Sequence, residues 1–254
     1  MKPPVKILEY LLPEGFPRST LMAVQGEPGT GKSMLLVEMA YKTLKTGEPV
    51  IFLTMEDTAL TTVQKFLTMG WDVLPFLKNG SFKILDCFSY RLENYKPKNL
   101  PERIKRLSDE ISSGVDLVSE PDNYDLLWSS LERDLEELGM VEKGMVLVDS
   151  MTELLTVVSD QADFLESLKN LKAKICKTLF VPFVYSLHFG VFDQFRTVLE
   201  CFDDGIVDLR FSPTGLQKGL LIKQIRVRRM SGVPHRGEWV TFDIRRGEGV
   251  VPLE

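Results

Sequence analysis

Histidine, cysteine and amide side chains are scarce in this sequence, and each scarcity removes a class of chemistry. Among 254 residues there are two histidines, His188 and His235, too few for a multi-histidine metal site and thin material for a Ser-His-Asp arrangement. The three cysteines, Cys87, Cys176 and Cys201, are odd in number, far apart and match no C-x-x-C spacing. They read as reduced core residues, not as a zinc site or a disulfide framework. Five Asn and six Gln are few, and depletion of these thermolabile amides hints at a hot-living source. Positive charge is not in excess: 31 Lys+Arg against 36 Asp+Glu leave a net charge of -5, so no global field draws the chain onto nucleic acid or an anionic membrane. Long apolar runs are missing too. The longest, Leu179 to Phe192, contains Pro182, Ser186 and His188 and falls short of the roughly 18 residues that a spanning helix needs. MKPPVKILEYLLPEGFPRST at the start is broken by prolines and acids and is followed by no small-residue cleavage site. A cytoplasmic protein with no membrane insertion is expected.

What is present is an ordinary globular composition, 44% hydrophobic and 26% charged, able to bury a core without staples. The length allows one large domain or two small ones. STLMAVQ (19–25) reads as a buried strand. Lys32 to Thr46 places Leu35, Leu36, Met39, Ala40 and Leu44 on one helical face, stopped by Gly47 and Pro49. PVIFLT (49–54) is a strand, a helix runs from about Asp57 to Met69, and FKILD (82–86) is a strand. From Ser89 to Asn123 the periodicity fades, which predicts an insertion with some helix at 101–111. Tyr124 to Leu138 is a helix, MVLVDS (145–150) a strand, Phe164 to Lys177 a helix and TLFVPFVYSL (178–187) a strand. The last fifty residues alternate without helices, as an antiparallel or mixed extension would. Alternating strands and helices predict an α/β fold with a mainly parallel, helix-covered sheet. One domain over residues 1–254, with the insertion at about 89–123, is the expected organisation.

Gly26-Glu27-Pro28-Gly29-Thr30-Gly31-Lys32-Ser33 fits G-x-x-x-x-G-K-[ST] in full, directly after a strand and before a helix. Glycines let such a loop wrap closely, backbone N–H groups point inward, and the helix N-terminus adds a favourable dipole. Lys32 would reach the β- and γ-phosphates of ATP, and the Ser33 hydroxyl would ligate Mg²⁺. A second element is the apolar strand ending in Asp149-Ser150, which resembles a Walker B strand. Its carboxylate would lie on the metal side of the loop, although a strand-end Asp can also merely cap the next turn. Glu56, with Asp57 beside it, closes another strand, where a carboxylate could orient an attacking water; acids there could equally just begin a helix.

Neighbouring residues narrow the branch of phosphate-loop proteins. Ser150, not glutamate, comes after Asp149, which disfavours the AAA+ branch, and no N-K-x-D, D-x-x-G or L-S-G-G-Q element is present. The chain resembles the RecA superfamily, and within it the KaiC-like ATPases of archaea and bacteria. The resemblance is carried by LPEGFPRSTLMAVQGEPGTGKS, TMED, GWDVLPFLKNGSFKILD, MVLVDSMTELL, YSLH, DDGIVDLRF, RVRRMSGVPH and WVTFDIRRGEGV. It implies a RecA-type core and slow hydrolysis of ATP bound between neighbouring copies of a homo-oligomeric ring or filament, with a hexamer among the ring sizes.

Two departures qualify that picture. The family's closing strands carry Lys-Met-Arg-Gly-x-x-His, whose cations reach the γ-phosphate of the adjacent subunit. Here Arg229-Met230-Ser231-Gly232-Val233-Pro234-His235 keeps the first cation and loses the second. A missing finger predicts weak turnover unless Arg228 or Arg236 substitutes. The family's usual Thr-Gly opening is replaced by PPVKILEYLLPEG. His188, ending its strand, could sense the γ-phosphate or be a structural histidine, and His235 is similar. Ser108 to Glu137 holds ten acids and one base, and Leu221 to Arg246 holds seven Lys+Arg and two acids, an asymmetry suited to head-to-tail packing and also to plain solvated faces. The leading expectation is a regulatory or scaffold ATPase. A non-hydrolysing ATP switch that recruits an unidentified protein partner is the alternative. A DNA strand-exchange protein is third, disfavoured by the acidic balance and by a 188–204 loop with a single arginine.

Overall fold

Ten strands join into one sheet in the computed structural model, which describes residues 1–2, 5–92, 99–191 and 193–253. In chain order the elements are α1 (Lys6–Leu11), β1 (Leu21–Gly26), α2 (Lys32–Lys45), β2 (Val50–Thr54), α3 (Ala59–Thr68), α4 (Leu74–Lys78), β3 (Phe82–Asp86), α5 (Glu102–Ile111), β4 (Val115–Leu117) and α6 (Tyr124–Glu137). They continue with β5 (Met145–Asp149), α7 (Met151–Val157), α8 (Gln161–Lys172), β6 (Phe183–His188), α9 (Asp193–Phe202), β7 (Gly205–Phe211), α10 (Pro213–Gln217), β8 (Lys223–Met230), β9 (Val240–Arg245) and β10 (Gly249–Pro252).

Across the sheet the order is β10-β9-β8-β7-β1-β6-β5-β2-β3-β4. Pairing is parallel from β7 to β4 and antiparallel from β7 through β8 and β9 to β10. This is the mainly parallel sheet with an antiparallel extension that the alternation predicts. The central strands β1, β2 and β5 are buried at every position because helices cover both faces, the burial pattern of a parallel sheet. Successive side chains alternate between two cores. Val50, Phe52 and Leu147 join the layer under α2 and α3, while Ile51, Leu53, Val146 and Val148 join the layer under α6, α7 and α8.

The structure departs from the sequence reading in several places. The expected strand from Thr178 begins only at Phe183, because α8 runs on into a π turn at Ala173–Thr178, Phe180 takes a φ of 53° and Pro182 has no N–H to give a ladder. The 188–204 stretch is not a loop throughout: it carries α9, whose Leu199 is fully buried. The closing residues are not free of helix, since α10 forms where Ser212 caps a turn with Pro213 in first position. The insertion contains the expected helix as α5, and also β4, which extends the parallel edge. Residues 93–98, part of that insertion, lie outside the described residues.

One buried carboxylate joins the insertion to the core. Asp86, ending β3, accepts from the Ala59 amide at 2.7 Å, the first residue of α3, and from the Phe88 and Ser89 amides at 3.0 and 2.8 Å. It also takes the Ser89 hydroxyl at 2.7 Å.

Candidate functional site

The phosphate-binding sequence spans the turn between β1 and α2, at the C-terminal edge of the parallel strands. Two of its glycines are required by geometry. Gly26 lies so close to β7 that a Cβ there would stand 2.1 Å from the Leu209 carbonyl oxygen. Gly31 has a φ of 107° and is the N-cap of α2, a left-handed conformation that costs other residues. Glu27, Pro28 and Gly29 are exposed and Thr30 is buried, its hydroxyl on the Glu27 carbonyl at 2.7 Å. Pro28 has no N–H to offer a phosphate, so its part is to fix the backbone. Lys32 is folded under the loop, with Nζ 2.9 Å from the carbonyl oxygens of both Gly26 and Glu27. Burial pushes its pKa down to about 8, against the pull of Glu56, Asp149 and Glu27.

Beside the loop, β2, β5 and β6 bring a set of carboxylates and hydroxyls together. Asp149 ends β5 and is buried. Its Oδ1 accepts from the Ser186 hydroxyl at 2.7 Å and the Ser33 hydroxyl at 3.2 Å. Burial raises its pKa, opposed by the Ser186 hydrogen bond and the Lys65 charge. Glu56 lies just past β2, and its Oε1 accepts from the Ser150 hydroxyl at 2.5 Å and meets His188 Nε2 at 2.7 Å. Burial works to raise the Glu56 pKa, but hydrogen bonds from His188 and Ser150, with the charges of His188 and Lys65, outweigh it and hold the carboxyl below its ordinary value. Asp57 faces elsewhere, toward Lys65 of α3 at 2.5 Å. Neither acid starts the helix, because Thr58 is the N-cap of α3. Ser150, joined to Asp149 by a cis peptide bond, also caps α7.

The geometry thus brings Lys32, Ser33, Glu56, Asp149 and His188 to one edge, while Arg229, Arg228 and His235 are engaged by other groups of the chain. Arg229 pairs with Ile206, at the end of the sheet away from this chain's own loop, and its guanidinium turns inward onto the carbonyls of Glu200 and Asp203 at the end of α9. Arg228 is bound to Glu200 at 2.6 Å and Asp208 at 3.2 Å. His235 Nδ1 is 3.2 Å from the Val233 carbonyl oxygen. The cations expected to project from this strand are therefore held by partners in their own chain. Sequence reasoning passed over Ser150, Ser186 and Lys65.

The donor set fits a magnesium-bound nucleotide. Adjacent ligands of an octahedral Mg²⁺ stand about 2.9 Å apart when bonds are about 2.05 Å, and the Ser33 and Asp149 oxygens are 3.2 Å apart. All the donors are hard oxygens. Among the described residues no group of three or more His, Cys, Asp or Glu side chains could hold a metal alone, so phosphate oxygens and water would have to complete the shell. Among the described residues, no helix is long and apolar enough to cross a membrane.

Comparison with known proteins identifies the family and the fold. The family model for the KaiC ATPases matches residues 2–254. The chain is 26% identical to a UPF0273 protein of Thermotoga maritima over 250 residues, 97% of this chain and 93% of that protein. It is 31% identical to a UPF0273 protein of Saccharolobus solfataricus over 114 residues, 42% of this chain and 40% of that one. Among solved structures it resembles a KaiC-like protein of Pyrococcus horikoshii, with a TM-score of 0.73 at 18% identity, covering 100% of this chain and 98% of the other; at that identity the likeness is one of fold. Because the family model runs from residue 2 to the end of the chain, the chain belongs to the KaiC family of ATPases.

Proposed function

We propose that this protein binds Mg·ATP at the edge formed by β1, β2, β5 and β6 and hydrolyses it slowly, as a single ATPase domain over residues 1–254 serving a regulatory or scaffold role. The observation that carries the reading is the Glu56 carboxylate, gripped by Ser150 and His188 beside the Ser33–Asp149 pair. Bound Mg·ATP supplies the scissile phosphoanhydride and a divalent charge that neutralises its oxygens. The chain supplies the rest. Loop amides bind phosphate, and Lys32 exchanges two carbonyl partners for phosphate oxygens. Ser33 and Asp149 hold the ion, and Glu56 orients water and takes its proton. His188, bound to that base, is placed to register the terminal phosphate.

We place the nucleotide at an interface between copies in a cytoplasmic homo-oligomeric ring. Supporting this, the acidic 108–137 segment contains β4 and the basic 221–246 segment contains β8 and β9, at opposite ends of the sheet. Head-to-tail contact would join the two. A non-hydrolysing switch that recruits a protein partner is a second reading. It is favoured by Ser231 at the finger position and by the inward turn of Arg229. Nucleic acid has no support in the net charge.

The test is native mass with and without Mg·ATP, with phosphate release monitored in the same sample. A larger mass with slow release supports the ring ATPase, and a larger mass with no release, even in a single turnover, supports the switch. A Lys32→Ala variant that bound Mg·ATP as tightly as the parent would remove the nucleotide assignment.

A further inference from the structure

Lys65 stands where the site has not been accounted for. Its helix is anchored at both levels: Thr58 caps it, Asp86 holds its first amide, and Thr62, Val63 and Phe66 are buried. The side chain therefore starts from a fixed point and is 27% exposed. Its ammonium is 2.5 Å from Asp57 Oδ2 and 3.9 Å from Asp149 Oδ2, and its charge also acts on Glu56. The other oxygen of Asp149, Oδ1, already accepts from Ser33 and Ser186. Oδ2 is the Asp149 oxygen that holds neither hydroxyl, and Lys65 faces it at the edge of the metal side.

We propose that Lys65 is a nucleotide-state positioning residue: without nucleotide its ammonium neutralises Asp149 on the metal side, and on loading it turns to the terminal phosphate. This rests on the Mg·ATP reading and adds a residue to it. A divalent ion held by Asp149 and an ammonium 3.9 Å from the same carboxylate repel, so the arriving ion would drive the lysine away from Asp149. A lysine stem is long and has several rotatable bonds, so Lys65 can swing while α3 stays in place. The anion that arrives at the same edge with the ion is the γ-phosphate. ADP brings no such group. Lys65 would then supply, from within the chain, a cation that Ser231 does not supply from a neighbour.

The experiment measures Mg·ATP and Mg·ADP affinities by calorimetry. It uses the wild-type chain and the variants Lys65→Met, Lys65→Arg and Asp57→Asn. Lys65→Met is expected to lose about tenfold in preference for Mg·ATP over Mg·ADP, the scale of one charge-assisted contact. Lys65→Arg retains the wild-type preference. Asp57→Asn, which removes only the neighbouring ion pair, keeps that preference within about twofold. An unchanged preference in Lys65→Met overturns the proposal, as does an equal loss in Lys65→Met and Asp57→Asn, which would mark a structural ion pair. A wild-type chain that binds neither nucleotide refutes the Mg·ATP reading and this one with it, whereas a chain that binds both without responding to Lys65→Met refutes this one alone.

Discussion

Glu38 offers the sharpest test of the physical account, through the pH dependence of stability. It lies on α2, fully buried, and its Oε2 accepts from the Val250 amide of β10 at 2.6 Å. The neighbouring Gly249 leaves room for it, since a Cβ there would come within 2.2 Å of the carboxylate. Burial pushes the Glu38 pKa up to about 7, despite the Val250 hydrogen bond and the charges of Lys42 and Lys6. An unfolded glutamate titrates near 4.3. Between those values the folded chain keeps a proton that the unfolded chain has released, so stability is fully present below the lower value and is lost as pH rises through about 7. The loss amounts to about 4 kcal/mol, at about 1.4 kcal/mol per pKa unit. In Glu38→Gln the acceptor for Val250 survives and the titration disappears. The new amide N–H₂ falls where Oε1 has no hydrogen-bond partner, at a cost of about 1 kcal/mol. The variant should therefore be about 1 kcal/mol less stable than the parent near pH 4 and about 3 kcal/mol more stable near pH 8. Urea midpoints from pH 4 to pH 9 would show the two stability curves crossing. A difference between parent and variant that did not change with pH would refute the reasoning.

Other perturbations separate the chemical from the structural residues. Glu56→Gln should lower phosphate release by about 100-fold or more while leaving Mg·ATP affinity within about threefold, measured by single-turnover cleavage and calorimetry on one sample. Arg229→Met should destabilise the chain by about 2 kcal/mol, since the carbonyls of Glu200 and Asp203 lose a charged donor; an unchanged urea midpoint with lost hydrolysis would instead favour action on a neighbouring subunit. Raising salt from about 0.05 to 0.5 M shortens the screening length to a few ångströms, and the assembly formed with Mg·ATP should dissociate if opposite edge charges join the copies, as sedimentation would report.

The phosphate loop was legible because its chemistry is local. Eight consecutive residues carry it, and the strand before and the helix after are marked by their own periodicity. Asp149 and Glu56 lie far apart in sequence but close strands that are neighbours in the sheet, so a parallel α/β reading already puts them on one edge. What the sequence could not convey depends on tertiary detail. His188 reaches Glu56 only because β6 lies next to β5 and β5 next to β2. Arg228 and Arg229 find their partners because β8 shifts register between Ile206 and Val207 of β7, an irregularity that defeats simple alternation. Five-residue α10 and three-residue β4 are too short to generate a periodic signal.

Asp86 has a mechanical consequence. Because one carboxylate holds the first amide of α3 and the amides of Phe88 and Ser89, the root of the insertion and the root of the helix carrying Lys65 share a rivet. A force applied at residues 88–89, the root of the insertion, is transmitted to α3 or breaks several hydrogen bonds to one buried carboxylate at once. The insertion is therefore geared to the phosphate edge at its base, whatever its outer part does.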